Sequence, residues 1–132
     1  MKFLVVVIFV CLAGALAQEL TEAQRRRLRE HRDICIRETD ANRAEVDRAR
    51  QGQWADNPQI RCFALCMMRR LRLMSEDGQL NEAAARQRLA LVVPRERVEE
   101  IMTKCKDLKG NTPCDTGYLV LKCYTDNRAN VV

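Results

Sequence analysis

The residues of this chain with most chemistry to offer are seven cysteines and a single histidine. Six of the cysteines follow residue 34 in the pattern C-x26-C-x3-C-x38-C-x8-C-x8-C, as Cys35, Cys62, Cys66, Cys105, Cys114 and Cys123. Thiols serve as nucleophiles, as metal ligands or as halves of disulfides. A nucleophilic site wants a base beside the thiolate, and a metal site wants clustered cysteine and histidine; with His31 alone, neither set assembles. An even number of thiols in a short chain behind a secretion leader reads instead as three disulfides. Cys62 and Cys66 are four residues apart, so on a helix they point the same way, a poor geometry for bonding each other. Each must reach a different segment, which makes the helix carrying them a hub. Which segments they reach stays open among the many pairings that six cysteines allow.

The seventh cysteine, Cys11, lies in the leader. Residues 1–17, MKFLVVVIFVCLAGALA, have one lysine, a continuous apolar run and small residues at Ala15 and Ala17. This is a secretory signal peptide cut before Gln18, and the run is short for a membrane span of about 20 residues. The protein is therefore expected to be secreted, with no stable membrane insertion, and residues 18–132 form one domain. Its formal charge of +5 falls to +4 when Lys2 leaves with the leader. A domain of this size buries one modest core, which disulfides supplement at about 2–4 kcal/mol each.

The elements that must position these thiols are helices. No stretch alternates apolar and polar residues as a strand would, whereas helix-start signals recur. Thr21-x-x-Gln24 is a capping box ahead of a segment to about Glu38. Asn42-x-x-Glu45 opens a short second helix ending at Gly52, and Asn57-Pro58 a third running to about Leu73. Ser75-Glu76-Asp77-Gly78 is a turn, and Asn81 starts a fourth helix to about Leu91. Pro94 opens a fifth expected to stop at Gly110, and Thr112-Pro113 a sixth ending near Asp126. The fold class is all-α. In the sixth helix Tyr118-Leu119-Val120-Leu121 is apolar nearly all round, so that helix belongs in the middle of the domain.

With these helices, Cys62-x3-Cys66 and Cys105-x8-Cys114-x8-Cys123, with Cys35 upstream, resemble the six-cysteine branch of the insect odorant-binding proteins over essentially all of residues 18–132. The resemblance implies a six-helix, disulfide-linked domain enclosing a hydrophobic cavity, with the pairs Cys35–Cys66, Cys62–Cys114 and Cys105–Cys123. It also implies a carrier of odorants or pheromones through extracellular fluid to an olfactory receptor, a monomer or weak dimer with no cofactor. Inward candidates by the resemblance are Leu28, His31, Phe63, Met67, Met68, Leu71, Leu89, Val98, Ile101, Leu121 and Tyr124. Methionines suit an adaptable lining, being flexible and polarizable. Each of these residues could equally be ordinary core. Tyr124 could offer its hydroxyl to a ligand, and Val131 and Val132 could plug the pocket mouth, loosened by acid.

Plainer readings compete at several positions. His31 shares a helix side with Leu28 and Cys35, which suits a pH-sensitive latch or a ligand contact, yet a partly exposed histidine in a charged helix is the simpler account. Arg25-Arg26-Arg27 with Arg29 and Arg32 is the densest basic stretch. Glu22, Glu30 and Asp33 dilute it and aromatics are few, so it reads as a solvated face rather than a nucleic-acid surface. Catalysis fares worse. His31-x-Asp33 beside Cys35 hints at a secreted phospholipase, but that chemistry wants paired flanking cysteines and a glycine-rich calcium loop, and the sequence has neither. The rival to a carrier is a secreted salivary, venom or defence protein acting on a macromolecule; a third reading uses the carrier fold outside smell.

Overall fold

The computed structural model describes residues 20–132; the leader and its expected cleavage before Gln18 lie outside them. Six helices follow in order: α1 Glu22–Thr39, α2 Arg43–Arg50, α3 Pro58–Arg70, α4 Glu82–Leu89, α5 Arg95–Cys105 and α6 Pro113–Asp126. Five start where a side chain satisfies an otherwise orphaned amide. Thr21 and Gln24 form the reciprocal capping box, Thr21 N–H donating to Gln24 Oε1 at 2.8 Å. Asn42, Asn57, Asn81 and Thr112 each accept from the amide three residues on. Pro58 and Pro113 occupy first-turn positions where no amide is missed. Helix α5 follows Pro94 without a side-chain cap.

Two helices end earlier than the sequence suggests. Helix α3 stops at Arg70 because Arg72 turns to φ 60° and the Leu73 amide reaches back to Met68 O at 2.8 Å. Helix α5 stops at Cys105, and residues beyond it run to Gly110, whose amide donates to Thr116 Oγ1 at 3.0 Å. Gly110 is not a helix stop; it lies so close to Asp115 that a Cβ there would meet the Asp115 Cβ at 2.4 Å. Between α3 and α4, the only β-type pairing among the described residues is the isolated bridge of Met74 with Leu80.

Helix α3 is the centre. Ile60 and the run Phe63 to Met68 are buried, with α6 packed along one side and α1 along another. Helix α5 packs on α4 and α6. Cys35 in α1 bonds Cys66, Cys62 bonds Cys114 in α6, and Cys105 in α5 bonds Cys123 in α6. These are the pairs the resemblance implies, and they make α3 the hub that the side-by-side cysteines require. Helix α6 buries Gly117, Tyr118, Val120, Leu121 and Tyr124, as a helix apolar on nearly every side must. The loop before α3 is fastened to α6 by Trp54 Nε1 donating to Thr125 Oγ1 at 2.7 Å and Tyr118 Oη donating to Ala55 O at 3.0 Å.

Candidate functional site

The interior gathers apolar side chains from five helices and the tail. Leu28 comes from α1, Phe63, Met67 and Met68 from α3, Leu89 from α4, Val98, Ile101 and Met102 from α5, and Leu121 and Tyr124 from α6. Val131 and Val132 close it. Phe63, Met67, Met68, Leu89, Ile101, Leu121 and Tyr124 are only 0–1% exposed, so none of them borders a space wide enough for water. The side chains fill the interior themselves. A ligand there takes volume from them, and methionines, with three flexible bonds each, give way at least cost.

One polar group stands inside this apolar set. The Tyr124 hydroxyl is fully buried and has no hydrogen-bond partner among the described residues. Burial pushes its pKa up to about 12, so it stays protonated and remains a donor. A buried hydroxyl without a partner costs about 1–3 kcal/mol, which the polar end of a small molecule could offset.

The tail is held by two arginines that the sequence reading missed in this role. Arg32, only 8% exposed, donates through Nη1 to the Val132 oxygen at 2.6 Å, and Arg88 donates through Nη2 to Val131 O at 3.2 Å. Burial, then the nearby Arg50 and Arg29, lowers the Arg32 pKa to about 10, still charged at neutral pH. The signal for these roles was faint. Arg32 lies four residues past Leu28 and three before Cys35, at the edge of the inward stripe of α1, but nothing local links either arginine to a tail some hundred or forty residues on.

His31 and Leu71 differ from the other inward candidates: both are half-buried and line an external cleft of about 210 Å³. The helical repeat explains this. Leu28 and Cys35 define the inward stripe of α1, and Gln24, Arg27 and His31 run along one shoulder of it at three- and four-residue steps. Arg25, Arg29 and Arg32 run along the opposite shoulder and, with Arg50, Leu20, Leu28, Asn130 and Val132, line a second cleft of about 350 Å³. His31 Nδ1 accepts from Arg70 Nε at 2.9 Å. Its pKa is held below 6.5, first by partial burial and then by Arg70, with Arg88 and Arg27 adding to the effect and Glu30 opposing it.

A cross-linked shell of six helices closed over an adaptable apolar interior defines a small-ligand binding protein of the insect odorant-binding fold. The chain belongs to the PBP/GOBP family, whose model matches residues 17–127. It is 31% identical over 114 residues to the B2 protein of Tenebrio molitor, spanning 86% of this chain and 88% of that one. It is 28% identical over 120 residues to general odorant-binding protein 56a of Drosophila melanogaster, spanning 89% and 84%. Among solved structures it is similar to the fatty acid binding protein OBP56a from the oral disk of the blowfly Phormia regina. That match has a TM-score of 0.68 at 28% identity, over 83% of this chain and 96% of that chain. Odorant binding protein 5 of Apis mellifera shares the fold with a TM-score of 0.69 at 22% identity, over 87% and 98%. Proteins of this family bind small hydrophobic ligands without transforming them, so the chain is a small-ligand carrier and not an enzyme. No helix among the described residues is long and apolar enough to cross a membrane.

Proposed function

We infer that the protein is secreted, takes an odorant or pheromone into the interior around Tyr124, and carries it through aqueous extracellular fluid to a receptor, acting as a monomer or weak dimer. Apolar burial supplies most of the affinity, at about 25 cal/mol per Å². The Tyr124 hydroxyl supplies orientation, donating to an oxygen at the ligand's polar end. That unpartnered hydroxyl in an otherwise apolar core is the observation that carries the reading. Val131 and Val132 are the parts of the lining most easily displaced, because they sit on a tail rather than on a cross-linked helix. The similarity to a blowfly fatty acid binding protein of the oral disk supports a second ligand class, long-chain acids, and a use outside smell.

Tyr124→Phe separates this reading from a merely structural tyrosine. Affinity for a long-chain aldehyde or alcohol is expected to fall about 3- to 10-fold, while affinity for the matching alkane and the stability of the free protein hold or rise. Equal affinities for the polar ligand in both proteins, measured by probe displacement, would remove Tyr124 from the binding reaction.

A further inference from the structure

Six of the eighteen arginines of this chain are paired with acids. Arg25, Arg43, Arg61, Arg69, Arg86 and Arg97 each stand within 3.9 Å of a carboxylate. Arg27, Arg70, Arg72 and Arg88 are four of the twelve arginines without such a partner among the described residues, and these four line one cleft with Gln24, His31, Leu28 and Leu71. They converge from three separate places: Arg27 on α1, Arg70 and Arg72 at the end of α3, and Arg88 on α4. No carboxylate lines the cleft; Glu30, on α1, is the one acid that acts on His31. The Nε of Arg88 is buried without a hydrogen-bond partner, an unspent donor on a charged group. Arg70 donates its own Nε–H to the imidazole Nδ1 of His31 and not to a carboxylate.

We propose that this cleft, between α1, the end of α3 and α4, is an oxyanion-binding site for a carboxylate, phosphate or sulfate group. Guanidinium forks match the paired oxygens of such groups and bind them more strongly than they bind neutral acceptors. Gln24 adds a side-chain amide to the wall, and Leu28 and Leu71 give an apolar floor on which the first carbons of an amphipathic acid can lie. The cleft is external, whereas the carrier interior is apolar and closed, so the two sites stand or fall separately.

His31 is the sole histidine, which makes it a built-in reporter. An anion among the arginines offsets the repulsion from Arg70, Arg88 and Arg27 that adds to partial burial in lowering the His31 pKa, and so raises it. The experiment follows the His31 resonances through pH titration of the tag-free, oxidised chain from Gln18, with added sulfate, octanoate, acetate or chloride at matched ionic strength. Sulfate keeps its charge across the whole range. Chloride reports screening alone, which raises the pKa without saturation. The expected result is a saturable rise with sulfate or octanoate beyond the chloride response. The site should weaken about tenfold or more in Arg27→Gln/Arg72→Gln, two exposed positions whose loss leaves the tail contacts of Arg88 in place. A response to sulfate but not octanoate assigns the site to tetrahedral anions such as phosphate or sulfate esters. A response to octanoate but not acetate assigns it to amphipathic acids. No anion exceeding chloride, or a saturable shift that survives the double substitution, overturns the proposal.

Discussion

The His31 imidazole and the Tyr124 hydroxyl are each left in the neutral form, for different reasons. Tyr124 is neutral because burial alone raises its pKa to about 12. His31 is biased toward its neutral form because partial burial, and then the Arg70, Arg88 and Arg27 charges, lower its pKa from 6.5. Between the lowered value and 6.5 the unfolded chain binds a proton that the folded chain refuses. Stability therefore falls as pH drops through that window and is recovered above it. Arg70→Gln removes both the hydrogen bond to Nδ1 and the second-largest depressing influence. The His31 pKa should move up toward 6.5 in that variant, and an NMR titration in which it stays or falls would contradict the electrostatic account. His31 thus earns a pH role through its arginine neighbours rather than through the interior.

Helix by helix, the sequence was most legible where the signals are local. Thr21, Asn42, Asn57, Asn81 and Thr112 each cap the helix that follows them, because a capping bond needs only residues three apart. The ends of α3 and α5 were not legible: α3 stops where the non-glycine residue Arg72 turns left-handed, and α5 stops at Cys105, ahead of the glycine expected to end it. The same distinction holds for the candidate site. The resemblance put Phe63, Met67, Ile101 and Leu121 inside, where they are buried, but it put His31 there too, and His31 lies half-buried on the shoulder of its stripe. The packing of α6 on α3 yields a sharp expectation. A Cβ on Gly117 would stand 2.8 Å from the Leu65 Cα, and backbone cannot step aside as a flexible side chain can. Gly117→Ala should force these two helices apart and lower stability by about 1–3 kcal/mol in denaturant unfolding. A variant as stable as the parent would mean that α3 and α6 slide more freely than their cross-link at Cys62–Cys114 suggests.

Across the whole molecule, three disulfides fix α1, α3, α5 and α6 relative to one another, while the tail is held by two arginine contacts and the burial of Ala129, Val131 and Val132. The rigid part supplies the walls and the tail supplies the way in. Removing residues 129–132 should therefore leave the cross-linked helices folded yet speed ligand loss at least about tenfold, since even one buried valine contributes about 1.5 kcal/mol or more of apolar burial. Unchanged dissociation after truncation would locate the opening elsewhere in the shell. The central claim is that the filled interior yields to a hydrophobic guest. Displacement of a fluorescent apolar probe from the oxidised chain beginning at Gln18, against a panel of volatile and fatty ligands, tests it most directly. The account predicts saturable, roughly one-to-one binding with selective displacement; a protein with all three disulfides formed that takes up no probe would show that the interior is ordinary core.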